Sequence, residues 1–134
     1  RRKVGRISEA LGICEVLDKY PYQMSGGQQQ RVAAARAMAT DPAMVLADEP
    51  TGALDSNSSR ILLNMLAELN ERLDATILMV THDAFSASYC RRILFIKDGK
   101  IFNELNRGAG SRKDFFTKIL EVVSVLGGEQ NDLL

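Results

Sequence analysis

Two short apolar runs and an amphipathic stretch between them set the pattern in the middle of the chain. Residues 43–47 and 76–81 are mainly apolar, too short for helices and bounded by Pro, Gly or Asp, which predicts two strands buried on both faces. Between them, leucines recur at helical spacing and predict a helix from about Ser56 to Leu73. These are Leu62, Leu66, Leu69 and Leu73. A helix that connects two strands of one sheet makes those strands parallel.

The first forty residues predict two helical segments. Residues 1–20 form a small helical piece that stops near Gly12, with a second short turn after it. The apolar positions are Ile7, Leu11 and Cys14, then Ile13, Val16 and Leu17. After Pro21, a new helix begins at the Ser-Gly-Gly segment and runs to about Ala39, and Ser25 with Gln28 has the form of a capping box.

The last fifty residues predict a short helix, a hairpin and a longer helix. The short helix covers about residues 85–90. Two strands, 92–97 and 100–105, flank Asp98-Gly99, a dipeptide that favours a two-residue hairpin turn, and we expect them to be antiparallel edge strands. Residues 112–126 form an amphipathic helix, and the tail from Gly127 to Leu134 is expected to fray. Together the elements predict an α/β fold.

Two acids stand where an open α/β sheet binds its ligands. Asp48 and Glu49 follow the first predicted strand, at the edge formed by the carboxyl ends of the strands. One carboxylate could hold a hydrated magnesium ion while the other orients a water molecule. The alternative is that both acids simply end a strand in solvent.

Two further features point to the same end of the sheet. The free amides at the helix start Ser25-Gly26-Gly27 attract phosphate, although a capped surface helix would also use this sequence. His82, the single histidine of the sequence, follows the second predicted strand. A right-handed βαβ unit places it at the same end as Asp48 and Glu49, although a histidine at a strand end is often an ordinary polar residue.

Composition excludes some classes of protein. Lys and Arg together number 17, and Asp and Glu together also number 17. The chain therefore has no excess of positive charge that would indicate a nucleic-acid partner. Cys14 and Cys90 lack metal-ligand spacing, and we interpret them as reduced packing residues. No apolar run approaches a membrane span. The chain begins at Arg1 rather than at methionine, which suggests a piece of a longer polypeptide.

Four short segments follow one another along the chain: Met24-Ser25-Gly26-Gly27-Gln28, the strand ending Asp48-Glu49-Pro50, Gly52-Ala53-Leu54-Asp55 and Thr81-His82-Asp83. In this order and spacing they resemble the signature motif, the Walker B motif, the D-loop and the switch histidine of ATP-binding-cassette (ABC) ATPases. The resemblance covers essentially the whole chain. Met24 stands where the family usually has Leu. Residues 81–90 and the hairpin resemble more narrowly the ATPases of bacitracin-type peptide-antibiotic export and resistance systems.

The resemblance implies roles for the candidate residues, with ATP as ligand and Mg²⁺ as cofactor. Asp48 would hold magnesium through water, Glu49 would polarise the attacking water, and His82 would contact the γ-phosphate. The signature residues Ser25, Gly26, Gly27 and Gln28 would close over ATP bound to a second ATPase subunit in a head-to-tail dimer. Asp55 would help to couple the two sites.

The resemblance also implies a setting and a division of the chain. The protein would be a cytoplasmic ATPase at the inner face of the membrane, attached through a transmembrane permease. Residues 1–24 would be a remnant of the helical subdomain, 25–110 the C-terminal part of a P-loop-type ATPase core with parallel strands and an antiparallel edge hairpin, and 111–134 a C-terminal helix and tail. A regulatory cassette or a non-transport cassette ATPase is the alternative.

One family motif is missing. The 134 residues contain no Gly-x-x-x-x-Gly-Lys-[Ser/Thr] phosphate loop, nor the stacking aromatic segment and glutamine loop that the family carries upstream of the signature. We therefore expect the chain to be the C-terminal portion of the ATPase and to be inactive by itself, because the main cradle for the β- and γ-phosphates is absent.

Overall fold

The elements follow one another in the order that the sequence predicts. The computed structural model describes residues 2–131, with side chains described as far as Gly127. The helices and strands are α1 (Arg2–Leu11), α2 (Gly26–Ala39), β1 (Val45–Asp48), α3 (Ser56–Leu73), β2 (Ile77–Val80), α4 (Ala84–Ala87), β3 (Arg92–Lys97), β4 (Lys100–Asn106) and α5 (Arg112–Asn131). The chain divides after Val80 into a first unit, Arg1–Val80, and a second unit, Thr81–Leu134. The α/β class is confirmed, since helix α3 connects the two parallel strands β1 and β2.

A crossover helix and two parallel strands form the frame of the first unit. Helix α3 has the predicted bounds, and its face with Leu62, Leu66 and Leu69 is buried. Strands β1 and β2 pair in parallel from Val45 opposite Ile77 to Asp48 opposite Val80. The core also takes apolar residues from α1 and α2 and from one face of the two strands.

The prediction that both strands are buried on two faces is wrong for this structure. Side chains alternate along a strand, so Val45 and Ala47 pack on the core while Leu46 points away and is 72% exposed. The same alternation leaves Leu78 50% and Val80 56% exposed on β2. The helices of the first unit contribute their buried residues to one cluster on a single side of the sheet, and the described residues leave the other side open.

The N-terminal segment also departs from the prediction at Cys14, which is exposed and not a packing residue. Gly12 has a φ of +61° and ends α1 directly after Leu11. The chain then enters a 3-10 turn, Cys14–Val16. Ile13, just before this turn, and Val16, its last residue, are buried in the core. The helical spacing that put Cys14 on the apolar face therefore stops before it reaches that residue.

In the second unit, β3 and β4 form the predicted antiparallel hairpin, with a register shift between Phe95 and Ile96. Among the described residues, they make a separate two-stranded sheet. Phe115 and Ile119 of α5 pack with Phe95 in a core of their own. The predicted apolar stripe is only partly buried, since Leu120 and Val123 are exposed.

Two helix limits in the second unit differ from the prediction. The short helix α4 covers Ala84–Ala87 and not residues 85–90. The long helix α5 continues to Asn131 and so extends past the predicted limit at residue 126. Residues 132–134, the rest of the predicted tail, lie outside the described residues.

Candidate functional site

The loop after β1 carries the two candidate acids. Asp48 ends the strand and is exposed, whereas Glu49 is half-buried. The backbone N–H of Glu49 donates to the carbonyl of Val80 at 2.8 Å, so the two strand ends stay paired up to the acid. Glu49 has a φ of +43°, a left-handed conformation that costs a residue with a Cβ about 1–2 kcal/mol.

The turn that follows is closed by its own backbone. The N–H of Gly52 donates to the carbonyl of Glu49 at 3.1 Å, and the N–H of Leu54 donates to the carbonyl of Thr51 at 3.0 Å. The side chain of Leu54 packs against the core of the first unit. These contacts hold Glu49 in its unusual conformation between a strand and an anchored turn.

Asp55 closes the loop by capping α3. One of its carboxylate oxygens accepts from the backbone N–H of Asn57 at 2.9 Å and of Ser58 at 3.0 Å, and the other accepts from the Ser58 hydroxyl at 2.7 Å. These bonds, led by the Ser58 hydroxyl, hold the pKa of Asp55 below its ordinary value. Both oxygens of this predicted coupling residue are therefore used to start a helix.

The start of α2 combines a fixed cap with open glycines. Ser25 Oγ accepts from the backbone N–H of Gln28, and Gln28 Oε1 accepts from the backbone N–H of Ser25, which is the predicted capping box. A Cβ placed on Gly26 or Gly27 would meet no heavy atom within 4 Å, and neither residue has a positive φ. Neither backbone strain nor packing within the described residues requires glycine at these two positions.

In the second unit, His82 precedes a tightly held aspartate. Asp83 caps α4 by accepting from the backbone N–H of Phe85 and Ser86 and from the Ser86 hydroxyl, the last at 2.6 Å. Burial raises the pKa of Asp83, but the bonds from Ser86 and Phe85 together with the nearby His82 outweigh burial and lower it. His82 itself, which lies between Thr81 and the capping residue Asp83, is exposed.

The structure groups most of the predicted residues in the first unit. Asp48, Glu49 and Asp55 lie on one loop, and the Ser25–Gln28 segment starts a helix of the same unit. His82 belongs to the second unit. Among the described residues, no three acids, histidines or cysteines cluster as metal ligands.

Sequence reasoning missed two serines that fix these loops. Ser58 and Ser86 each donate a hydroxyl hydrogen bond to the aspartate three residues earlier. The pattern Asp-x-x-Ser at a helix start was visible in both places, and it is a known capping arrangement.

Cys90, predicted to be a packing residue, is partly buried. Burial raises the pKa of its thiol, although the charge of Arg107 opposes this.

Comparison with known proteins agrees with these motifs. A family model described as ABC transporter matches residues 1–52. The bacitracin export ATP-binding protein BceA of Halalkalibacterium halodurans is 55% identical over 130 residues, which are 97% of this chain and 51% of that protein. The uncharacterised ABC transporter ATP-binding protein YvcR of Bacillus subtilis is 53% identical over 127 residues, 95% of this chain and 49% of that protein.

Solved structures of ABC proteins also match this chain. The protein cbiO1 from Clostridium perfringens, part of the ABC transporter complex cbiONQ, matches with a TM-score of 0.73 at 28% identity, over 93% of this chain and 48% of that one. The dimeric post-hydrolysis state of the ATP-binding cassette MJ0796 bound to ADP and Pi matches with a TM-score of 0.56 at 42% identity, over 76% of this chain and 46% of that one.

The chain belongs to the ABC transporter ATPases. The family resemblance that the motifs predicted is thereby confirmed. This ABC ATPase chain spans about half the length of the curated relatives named above. Within the described residues, none of its helices has both the length and the apolar character needed to cross a membrane.

Proposed function

We propose that this chain is the C-terminal portion of an ATPase subunit that hydrolyses ATP to drive a membrane transporter for bacitracin-type antimicrobial peptides. The observation that carries the proposal is the 55% identity to a bacitracin export ATP-binding protein over 97% of the chain. The motif set that gives the chemistry is present within the same span: Ser25–Gln28, Asp48-Glu49, Asp55 and His82.

Glu49 is the proposed catalytic base. Its backbone is fixed on one side by the bond to Val80 and on the other by the turn to Gly52, so the carboxylate is presented from a rigid support. A general base orients the attacking water and takes up its proton, which contributes a factor of roughly 10²–10⁴ to the rate. His82 is proposed to donate a hydrogen bond to the γ-phosphate from the start of α4.

Asp48 is proposed to hold Mg²⁺ through water. A single exposed carboxylate at a strand end fits this ion, which keeps several waters and binds the phosphates of its nucleotide. When bound, magnesium neutralises charge on the phosphate oxygens. Asp48 contributes by fixing the water ligands relative to Glu49, its neighbour in sequence.

The signature residues are proposed to act on ATP bound to a second copy of the subunit. The open surface around Gly26 and Gly27 supports this role, because it leaves the amides of a capped helix start accessible to phosphate. Asp55 is then the residue that couples the two sites, through the loop it shares with Glu49. The MJ0796 cassette, to which this chain is similar, is dimeric in its post-hydrolysis structure, which supports a dimer here.

The proposed setting is the inner face of the cell membrane, where a transmembrane permease holds the ATPase dimer. Macrolide export protein MacB of Hyphomonas neptunium, 49% identical over 104 residues, is named as an ATP-binding and permease protein in one chain. That relative supports a permease partner for this ATPase. The division of the chain at residues 1–24, 25–110 and 111–134 remains part of the proposal.

The test is ATP hydrolysis by the full-length subunit that contains this sequence. Glu49→Gln is expected to reduce kcat at least about 100-fold while ATP binding is retained, and His82→Ala is expected to reduce kcat with little change in binding. Glu71→Gln, on the exposed side of α3, is the matched control and should behave as wild type. The 134-residue chain alone is expected to give no turnover, because it has no phosphate loop.

Two results would contradict the proposal. Unchanged turnover in Glu49→Gln would reject the base, and a full-length wild-type subunit without turnover would favour a regulatory cassette. The transport role is tested separately, by the bacitracin sensitivity of cells that carry the permease with either wild-type subunit or Glu49→Gln. Equal resistance in the two strains would remove peptide transport from the proposal and leave the ATPase.

A further inference from the structure

The short helix after His82 cannot hold its position by itself. Helix α4 has four residues, and a helix of this length is unstable in water without tertiary contacts. Its cap, Asp83, is the residue next to His82. The place of the His82 side chain therefore depends on whatever fixes α4 and the turn that follows it.

Arg112, at the start of α5, contacts helix α4 and the turn that follows α4. Its guanidinium lies 4.5 Å from the centroid of the Tyr89 ring and 5.4 Å from that of Phe85, within the range of a cation–π interaction. Arg112 Nη1 also donates to the hydroxyl of Ser88 at 3.3 Å. One side chain thus contacts three residues that lie within seven positions of His82.

The contacted residues are themselves rigidly arranged. The rings of Phe85 and Tyr89 meet edge to face with centroids 5.5 Å apart. Ser88 is fully buried, and its hydroxyl donates to the carbonyl of Phe85 at 2.6 Å. Ser86, also fully buried, holds Asp83. An unbroken set of contacts therefore leads from Arg112 through α4 to the residue beside His82.

The start of α5 is fixed as well, so Arg112 projects from a stable base. Ser111 Oγ accepts from the backbone N–H of Asp114 and donates to the Asp114 carboxylate, which caps the helix. Phe115 and Ile119, one and two turns further on, are buried in the core of the second unit. Displacement of Arg112 relative to the hairpin core is thereby resisted.

We infer that Arg112 is a positioning residue for His82: its guanidinium holds α4 and, through the Asp83 cap, sets where the histidine side chain points. This rests on the proposed function for the role of His82 in turnover. Arg112 is inferred to act through α4 and the Asp83 cap, by way of Phe85, Ser88 and Tyr89, and not by binding nucleotide itself. Its removal is expected to lower kcat and to leave the KM for ATP nearly unchanged, because nucleotide binding depends mainly on other residues.

The experiment measures kcat and KM for ATP in the full-length subunit with Arg112→Ala, Arg112→Lys and Lys113→Ala. We expect Arg112→Ala to lower kcat about three- to tenfold with KM within about twofold, since loss of precise placement costs rate rather than affinity. Arg112→Lys retains a cation over the rings and should recover most of the loss. Lys113, the exposed neighbour on α5, is the matched control and should leave both constants unchanged.

Two outcomes overturn the inference: wild-type kcat in Arg112→Ala, or a loss that Arg112→Lys does not recover. If Arg112→Ala does not yield folded protein, Tyr89→Leu, which removes the ring nearest the guanidinium, replaces it with the same expectation. Wild-type kcat in folded Tyr89→Leu would then overturn the inference. His82→Ala in the same assay separates the two claims, because normal turnover there rejects the proposed role of His82 and not the contact network.

Discussion

Two aspartates of the candidate loops start helices in the same way. Asp55 and Asp83 each accept from two backbone N–H groups and from the hydroxyl of the serine three residues later. A capping side chain satisfies N–H groups that have no partner within the helix. Each candidate loop is thus fixed at its helix end by an aspartate that belongs to a family motif and by a serine that does not.

The Asp55 cap predicts a pH dependence of stability. The pKa of Asp55 is lowered in the fold, mainly by the Ser58 hydroxyl. The ionised carboxylate therefore stabilises the fold fully above its unfolded-state pKa near 3.8. This stabilisation is lost as the pH falls through the lower folded-state pKa. We expect Asp55→Ala to lower the thermal unfolding midpoint at pH 7, and the difference from wild type to shrink below pH 3.8.

Thermal unfolding followed by circular dichroism over a pH series makes this measurement. Asp18→Ala is the control, because Asp18 is an exposed aspartate and its replacement is expected to leave the midpoint unchanged at each pH. An Asp55→Ala difference that is as large in strong acid as at neutral pH would contradict the role of the ionised carboxylate in the cap.

At single residues, the sequence predicted the cap of α2 but not those of α3 and α4. Ser25 and Gln28 form a reciprocal pair that is recognisable from residue types alone. Ser58 and Ser86 fit a looser pattern that also occurs in turns. The left-handed backbone of Glu49 could not be predicted, because such strain is imposed by surrounding contacts and not by the residue itself.

At the scale of elements, the glycines at the start of α2 are expected to be needed for ATP turnover but not for the stability of the fold. A Cβ at Gly27 meets no atom within 4 Å, and alanine is a better helix former than glycine. We expect Gly27→Ala to leave the free energy of unfolding unchanged or to raise it by up to about 1 kcal/mol. In the full-length subunit the same change should reduce ATP turnover at least about tenfold, because a methyl group would stand between the amides and phosphate.

Denaturant unfolding and ATP hydrolysis by the same preparations test this pair of effects. Gly5→Ala is the matched control, since Gly5 lies within α1 and a Cβ added there would also meet no heavy atom within 4 Å. It should raise stability in the same way and leave turnover unchanged. Normal turnover in Gly27→Ala would remove this glycine from the proposed phosphate site.

The boundaries of some elements followed closely from the sequence, but the limits of α4 and α5 and the burial of the parallel strands did not. Helix α3 and the hairpin strands β3 and β4 have the predicted limits to within one residue, because periodic leucines and an Asp-Gly turn are strong local signals. The prediction that both faces of β1 and β2 are buried was wrong, because an apolar run has the same sequence pattern whether one face of a strand or both faces are covered.

At the scale of the molecule, the open face of the parallel sheet predicts how the chain behaves alone. Among the described residues, Leu46, Leu78 and Val80 form an exposed apolar surface on a sheet of only two strands, so each strand also has an edge that no other strand of the described chain covers. Exposed apolar surface of this kind favours association. We expect the 134-residue chain to self-associate, and Leu46→Lys combined with Leu78→Lys to reduce that association.

Sedimentation velocity over a concentration series measures the effect. Ile61→Lys, which changes an exposed apolar residue on α3, is the control and should leave association unchanged. A wild-type chain that stays monomeric throughout would contradict the prediction. In the full-length subunit, the two lysines are instead expected to lower stability if further residues cover this face.

The loop from Glu49 to Leu54 is held at both ends, by the strand pairing at Val80 and by the Asp55 cap. A change of its shape is therefore confined to six residues and requires neither helix α3 nor strand β1 to unfold. Motions of such short segments take nanoseconds to microseconds, whereas enzymes typically complete about 1–10³ cycles per second. This loop is thus expected to relax many times within one cycle of the proposed ATP hydrolysis, so slower events outside the loop would determine the rate of that cycle.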